Sequence, residues 1–314
     1  MLVTIDPLSE VSGQSVLVTG GAGFIGSQLA ATLADICDVT VLDDLSTSNR
    51  SRVPADVEFV AGDVRDPVDL GTAMRGTDVV FHQAAMANVQ TATRSPVEGH
   101  RRTASGTVKV LDAARREDVR VVTASSAAIY GEPDRVPIHE SDPKTPTSPY
   151  GIDKLAADQH TRAFEELYGL PTVTLRYFNV YGSPENQAKG VISAFVDRAR
   201  SGAVLPIYGD GTQTRDFVHV EDVVHANLLA ATTDETGRAY NIGTGTGTTI
   251  QTVAERVKEF VDTDAEIVHG SPRSGDIKHS RASISRARSD LGYEPSYSFL
   301  DGLESVLHGI ALPN

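Results

Sequence analysis

The chain has a single cysteine, Cys37, so it can form no internal disulfide and no cysteine-based metal cluster, and a reducing compartment is expected. Lysine is scarce as well, confined to Lys109, Lys144, Lys154, Lys189, Lys258 and Lys278, which leaves arginine to carry most of the positive charge. A net charge of -14 excludes phosphate-backbone binding as the main role, because nucleic-acid affinity needs concentrated cations. Any anionic ligand must therefore be met locally. No run of about 18 apolar residues is free of charge, and the opening MLVTIDPLSE has neither the basic head nor the apolar core of a secretory leader. The expectation is a cytoplasmic protein with no membrane and no nucleic-acid partner. Histidines are scattered without an HExxH, and His219 and His225 lack helical ligand spacing, so no metal site is expected.

What the chain does have is a regular alternation. Short apolar runs (SVLVTG, DVTVLDD, VEFVAGDV, TDVVFHQAA, VRVVTASSA) are separated by longer amphipathic stretches, the first from Ser27 to Asp35. Strands alternating with helices predict an α/β fold, a Rossmann-type doubly wound parallel sheet covered on both faces. A helix is expected through YGIDKLAADQHTRAFEELYG, stopped by Gly169 and Pro171, and then one strand, TVTLRYFNVYG. Residues 1–13 read as a loose extension and 14–180 as the dinucleotide-binding domain, with a return of 218–243 to it. Residues 181–314, richer in Gly and Pro between their elements, read as a smaller mixed α/β substrate-binding lobe that closes over the carboxyl edge of the sheet.

Gly20, Gly23 and Gly26 stand between the first strand and the first helix in the spacing GxxGxxG, enclosing Phe24 and Ile25. A tight turn there aims backbone N–H groups and the positive end of the helix dipole at a phosphate, whose approach a Cβ would block. The next strand ends in Asp43 and Asp44. Asp43 is the expected acceptor for the adenosine ribose hydroxyls, and Asp44 reads as a turn residue. A carboxylate there repels a 2′-phosphate, which favours NAD over NADP. Asp63 and Val64 end the third strand and are expected near the adenine. A later glycine run, Gly243, Gly245 and Gly247, reads as a strand-to-helix turn capped by Thr248 or Thr249.

Tyr150 and Lys154 lie four apart at the start of a helix, on one face. A nearby ammonium, beside a cofactor that becomes positive on oxidation, is expected to lower the tyrosine pKa and make its phenolate available as a base. Ser125 and Ser126 end the strand upstream, where hydroxyls face the ligand crevice of such a sheet. The segments TGGAGFIG, Asp43, GDVRD, HQAA, SSAAIYG, YGIDK, LRYFNVYG, YGDGTQTRDFVHVEDV, YNIGTG and RSGD come in a telling order. In that order the chain resembles the extended short-chain dehydrogenase/reductases of the NAD-dependent epimerase/dehydratase family, from about Gln14 onward. Within it the chain is most similar to UDP-glucose 4-epimerases and their N-acetylhexosamine-accepting relatives.

The resemblance implies roles. Tyr150 is the base, Lys154 binds the nicotinamide ribose and tunes it, and Ser126 is the catalytic hydroxyl. The cofactor is NAD, held by Gly20, Gly23, Phe24, Ile25, Gly26, Asp43, Asp63, Val64, Ala84, Tyr150, Lys154 and Tyr177, with Phe178 close by. Asn179 touches the substrate diphosphate, Arg215 and Arg273 grip it, Asp276 meets the uridine ribose, and Val191, Phe195 and Tyr208 surround the uracil. Ser280, where hexose-restricted members carry a bulky tyrosine, leaves room for an N-acetyl group. The implied reaction is interconversion of UDP-glucose with UDP-galactose, and of UDP-GlcNAc with UDP-GalNAc, through a transient 4-keto sugar. Alternatives are a uronate epimerase or decarboxylase, or a non-catalytic dinucleotide sensor. Dehydratases of the family carry Asp-Glu after the catalytic hydroxyl; here Ala127 and Ala128 stand there, which disfavours dehydration. Gln83 replaces the usual Leu and Thr103 the usual Asn, and both are left out of the expected site. The resemblance also implies a homodimer packed through helices at about residues 100–117 and 151–168.

Overall fold

Seven parallel strands, in the order Arg238–Ile242, Thr172–Tyr177, Arg120–Ser126, Val79–His82, Ser15–Thr19, Asp38–Asp43 and Glu58–Ala61, make the central sheet, and chain order explains that arrangement. The computed structural model describes residues 7–182, 190–273 and 276–308; residues 1–6 of the expected extension lie outside them. Helix α1 (Pro7–Val11) precedes β1 (Ser15–Thr19), and α2 (Phe24–Leu33) leads to β2 (Asp38–Asp43) and β3 (Glu58–Ala61). Helix α3 (Pro67–Met74) then carries the chain back to β4 (Val79–His82), on the other side of β1. This reversal opens a crevice at the carboxyl ends of β1 and β4, where open α/β sheets bind ligands. Helices α4 (Val89–Arg94), α5 (Pro96–His100) and α6 (Gly106–Glu117), the last two joined by a π-helical turn at Arg101–Ser105, precede β5 (Arg120–Ser126). Helix α7 (Pro149–Tyr168) then leads to β6 (Thr172–Tyr177).

Both faces of the sheet are buried, and alternation divides the strand residues between them. Val16, Val18, Val122 and Leu175 pack in one cluster, while Leu17, Leu42, Val80 and Val121 pack in another on the opposite face. The segment expected as a loose extension is folded from Pro7 on. Val11 is 1% exposed and belongs to the first cluster, and the Cys37 thiol donates to its carbonyl at 3.1 Å. Helix α2 starts at Phe24, three residues before the expected Ser27, because Gly23 takes an extended conformation and serves as its N-cap.

TVTLRYFNVYG is two strands. After β6 only Phe178 intervenes before β7 (Asn179–Tyr181), which leaves the main sheet and pairs in parallel with a strand far along the chain. Helix α8 (Val191–Arg200), β8 (Leu205–Tyr208) and β9 (Thr214–Arg215) lead to that partner, β10 (Phe217–His219). The chain then returns to the main sheet through α9 (Val220–Thr232) and β11 (Arg238–Ile242), which pairs with β6. Strand β12 (Thr248–Thr249), α10 (Ile250–Val261), β13 (Ile267–Gly270), α11 (Ser285–Leu291) and α12 (Phe299–His308) complete the order. A separate core of Ile192, Phe195, Leu205, Val253, Val257 and Leu303 holds α8, α10 and α12 together. No helix among the described residues is long and apolar enough to cross a membrane.

Candidate active site

The glycine turn lies where β1 meets the crevice, and its glycines have a further reason within the fold itself. A Cβ on Gly20, at φ +68°, would stand 2.7 Å from the Ala84 nitrogen, and one on Gly26 would stand 2.3 Å from the Gly20 oxygen. The space a side chain would take is occupied by the protein's own backbone, from the strand end HQAA and from the turn itself. Gly23 is confined less tightly, at 3.1 Å from the Gly20 oxygen. Because Gly23 has no side chain to cap α2, the first N–H groups of that helix are left for a ligand.

Asp43 fastens this turn. Its carboxylate accepts from the Ala22 N–H at 3.0 Å, the Leu45 N–H at 2.8 Å and the Ser48 hydroxyl at 2.9 Å. Asp44 is more than a turn residue: it pairs with Arg102 at 2.7 Å and accepts from Ser46. Asp63 is paired with Arg65 at 2.6 Å, and that guanidinium holds its carboxyl below the usual range. Arg65 and Arg102 converge on Glu98 at 3.0 and 2.7 Å.

Beneath the turn, His82 is fully enclosed, with Nδ1 2.7 Å from the Thr19 hydroxyl and Nε2 3.0 Å from that of Thr107. Burial, with Lys154 adding a smaller repulsion, pushes its pKa down to about 3. The folded state therefore holds the ring neutral, while the unfolded chain binds a proton near pH 6.5. This contribution to stability is intact above pH 6.5 and is lost as pH falls from there toward 3, at about 1.4 kcal/mol per pH unit. Urea titrations of His82→Gln across that window should show a slope shallower by that amount; an unchanged slope would mean that other groups carry the acid sensitivity.

The catalytic candidates converge at the ends of β5 and β6. The Ser148 hydroxyl accepts from the Gly151 N–H at 3.2 Å and Pro149 opens α7, which places Tyr150 in its first turn. A Cβ on Gly151 would lie 2.7 Å from the Ala128 oxygen, so glycine lets α7 press on the 3₁₀ turn Ala127–Ile129 that follows Ser126. Ser126 stands beside Tyr150, and its hydroxyl accepts from the Ala128 N–H at 3.2 Å. The Lys154 ammonium donates to the Ala124 carbonyl at 2.7 Å, and burial lowers its pKa to about 8. The expected lowering of the Tyr150 pKa is absent. Burial raises it, opposed only by the nearby Ser126 hydroxyl.

A cavity of about 1310 Å³ joins these parts. At one end it is lined by Gly20, Gly23, Phe24, Ile25, Gly26, Asp43, Asp63, Val64 and Ala84; Tyr150, Lys154 and Tyr177 line its middle. Asn179, Val191, Phe195, Tyr208, Arg215, Arg273 and Asp276 line the other end. The Arg273 guanidinium lies 3.8 Å from the Tyr208 ring centroid, and Arg215 pairs with Asp276 at 2.5 Å. The adjacent Asp216 is not its partner. That carboxylate is fully buried and accepts from the N–H groups of Thr244, Gly245 and Ala282, so the later glycine run wraps an acid. The helix after that run is capped by Thr249, whose hydroxyl accepts from the Thr252 N–H at 3.0 Å.

Three expected residues lie off the lining. Ser126 touches the site through Tyr150, and Phe178 is buried in the core. Ser280 is 6% exposed, drawn inward by the hydrogen bond from its N–H to the Thr214 carbonyl. In turn the cavity includes Ser125, expected at the crevice but not as the catalytic hydroxyl, and residues outside the expected site: Gln83, Met86, Arg102, Arg198 and Gln213. The Ser125 hydroxyl is buried without a hydrogen-bond partner among the described residues, a state that costs about 1–3 kcal/mol unless a ligand satisfies it. That orphan and the uncapped helix end fit a dinucleotide lying across the β1–β4 crevice. Among the described residues no group of three or more His, Cys, Asp or Glu is placed to hold a metal.

The model of the NAD dependent epimerase/dehydratase family matches residues 16–243. The UDP-glucose 4-epimerase of Corynebacterium glutamicum is 35% identical over 302 residues, covering 91% of this chain and 92% of that protein. Two solved structures are similar over nearly the whole chain. A UDP-N-acetylglucosamine 4-epimerase from Methanobrevibacter ruminantium, in complex with UDP-N-acetylmuramic acid, gives a TM-score of 0.90 at 33% identity, covering 95% of this chain and 98% of that one. The UDP-glucose 4-epimerase of Thermus thermophilus, in complex with NAD, gives 0.86 at 36% identity, covering 95% and 100%.

Proposed function

The chain belongs to the NAD dependent epimerase/dehydratase family, and on that premise we propose that it is an NAD-dependent epimerase of UDP-sugars acting at C4. The observation that carries this reading is the continuity of the cavity: Tyr150 and Lys154 stand between the glycine turn at one end and the Arg215–Arg273 pair at the other. NAD, when bound, supplies the acceptor for a hydride and returns it.

The chain's own residues do the rest. Tyr150, beside the Ser126 hydroxyl, takes the proton of the sugar 4-hydroxyl while the C4 hydride leaves, giving a 4-keto sugar. Lys154 holds a positive charge one helical turn away, which favours the phenolate as the proton moves. Arg215 and Arg273 grip the diphosphate, and planar guanidinium forks suit its oxygens. The keto sugar turns about its phosphate linkage, and hydride and proton return on the opposite face. The net change is redox-neutral. Asn179 contacts the diphosphate, Val191, Phe195 and Tyr208 enclose the uracil, and Asp276, while pairing with Arg215, reaches the uridine ribose.

The sugar is a neutral hexose. The loop after β4, residues 84–91, has no charged side chain to meet a uronate carboxylate, and Ala127 and Ala128 offer no acid for dehydration. The N-acetyl pair is also accepted, since Ser280, small and off the lining, presents no bulk to the cavity. Residues 14–180 with 218–243 hold the dinucleotide, and 181–314 are otherwise mainly the lobe that holds the nucleotide sugar. A homodimer through α6 and α7 would cover Ile152, Leu167 and Tyr168 of α7, exposed by 54, 69 and 54%.

The test is proton NMR of the purified protein with UDP-galactose, UDP-GalNAc and UDP-glucuronate in separate tubes, with and without added NAD+. The expected result is C4 epimerisation in the first two tubes only. Conversion of UDP-glucuronate alone would replace this reading with a uronate enzyme, and no conversion in any tube with NAD+ present would favour a sensor.

A further inference from the structure

Gln83 was left outside the expected site, yet its side chain joins three elements at the cavity wall. It follows β4, where its N–H donates to the Thr19 carbonyl at 3.0 Å, and it lines the cavity beside Tyr177 at the end of β6. Its Nε2 lies 3.2 Å from the Tyr177 hydroxyl and 3.1 Å from Oδ1 of Asn227, a fully buried residue of α9. Asn227 Nδ2 donates to the same hydroxyl at 2.9 Å and to the Val223 carbonyl at 2.7 Å.

A phenol has one proton to give and two acceptor sites. Here both acceptor sites are filled by amide N–H groups, from Gln83 and Asn227, and Asn227 Oδ1, on the same amide as its donor, lies in nearly the same direction, so the phenol proton points elsewhere. The Tyr177 oxygen thus has no acceptor site left for a ligand. What Tyr177 offers the cavity is the face and edge of a ring held in one orientation by two carboxamides from different elements. The Gln83 Oε1 atom has only a 3.4 Å contact from that hydroxyl, so it is the acceptor of the cluster still open to a ligand.

The dinucleotide crosses the sheet edge from the β1–β3 side, where Asp43 and Asp63 stand, toward β4–β6, where Ser125, Lys154 and Tyr177 stand. The clamp is therefore at the nicotinamide end. We propose that Gln83 is a positioning residue for the nicotinamide half of the cofactor, acting together with Asn227 through the Tyr177 hydroxyl. The leucine usual at this position in the family the chain resembles could not make the clamp. This inference rests on reading the cavity as an NAD site.

The experiment is a double-mutant cycle read by titrating cofactor-stripped protein with NAD+ in a calorimeter, with thermal unfolding of each stripped variant as the control for folding. Gln83→Leu should raise the Kd for NAD+ about 10-fold. Tyr177→Phe should do likewise, and the double variant should be no weaker than about twofold beyond either single one, because both remove the same link. An affinity within twofold of wild type for Gln83→Leu, or independent effects that multiply in the double variant, would overturn the proposal. Wild type that binds NAD+ without epimerising any UDP-sugar would sink the substrate reading and leave this one standing. Wild type that binds no NAD+ would sink both.

Discussion

Phenylalanine in place of Tyr150 is expected to lower kcat for C4 epimerisation about 10³-fold, the scale of a lost general base, with the affinity for NAD+ nearly unchanged. The hydroxyl is the reactive part of this residue, while its ring and the Ser148 cap that starts α7 survive the change. In the free protein burial raises the pKa of Tyr150, while the Lys154 ammonium, one turn away, is anchored on the Ala124 carbonyl. The base therefore becomes effective only when ligands complete the site. Lys154, poised at about 8, loses its charge on the alkaline side, so kcat/KM should fall as pH rises above that value. Initial rates from coupled or NMR assays across pH 6–10 would check both statements. A Tyr150→Phe enzyme with more than about a tenth of wild-type kcat would show that another group takes the proton.

The second large effect concerns stability. Arg176, on β6 beside Tyr177, is 2% exposed and grips Asp158 of α7 with Nε and Nη2 at 2.7 and 3.0 Å. Its remaining nitrogen donates to the Tyr130 hydroxyl at 2.9 Å and the Glu140 carbonyl at 3.1 Å, and Tyr130 donates to Asn241 at 2.7 Å. Arg176→Ala leaves the buried Asp158 with only the partly exposed Arg162, at 3.1 Å, as counter-charge, and should lower the unfolding free energy by about 3 kcal/mol. Replacing both partners, Arg176→Met with Asp158→Leu, should recover most of that loss, since the poorly compensated buried carboxylate is gone and Arg162 can turn to solvent. Urea denaturation followed by circular dichroism separates the two cases; equal losses in the single and double variants would mean that packing, and not charge, is what Arg176 supplies. Asp158 lies one turn beyond Lys154, so the pair also fixes the stripe of α7 that carries Tyr150.

The parallel sheet, the glycine turn and the Tyr150–Lys154 face were legible because each is written in local spacing. What was not legible depends on partners far along the chain. TVTLRYFNVYG is one apolar run, and only the pairing of Asn179–Tyr181 with Phe217–His219 divides it into two strands. The glycines at 20 and 26 announce crowding, but whether a phosphate or the protein's own backbone does the crowding is decided by where Ala84 returns. Gly151, an unremarked letter of YGIDK, is required by the Ala128 carbonyl beneath it. The resemblance assigns Ser280 by its place in the sequence, which is blind to the hydrogen bond that draws its backbone to Thr214. Gln83 was set aside for differing from the usual leucine, a difference that gains meaning only beside Tyr177 and Asn227.

The single residue between β6 and β7 governs more than strand count. Tyr177, at the cofactor end of the main sheet, and Asn179, at the substrate end of the cavity, are two residues apart, and extended backbone of that length spans at most about 7 Å. The chain thus carries a covalent ruler between the two ligands. Loosening the contact between the lobes would leave Tyr177 and Asn179 unable to part by more than that length.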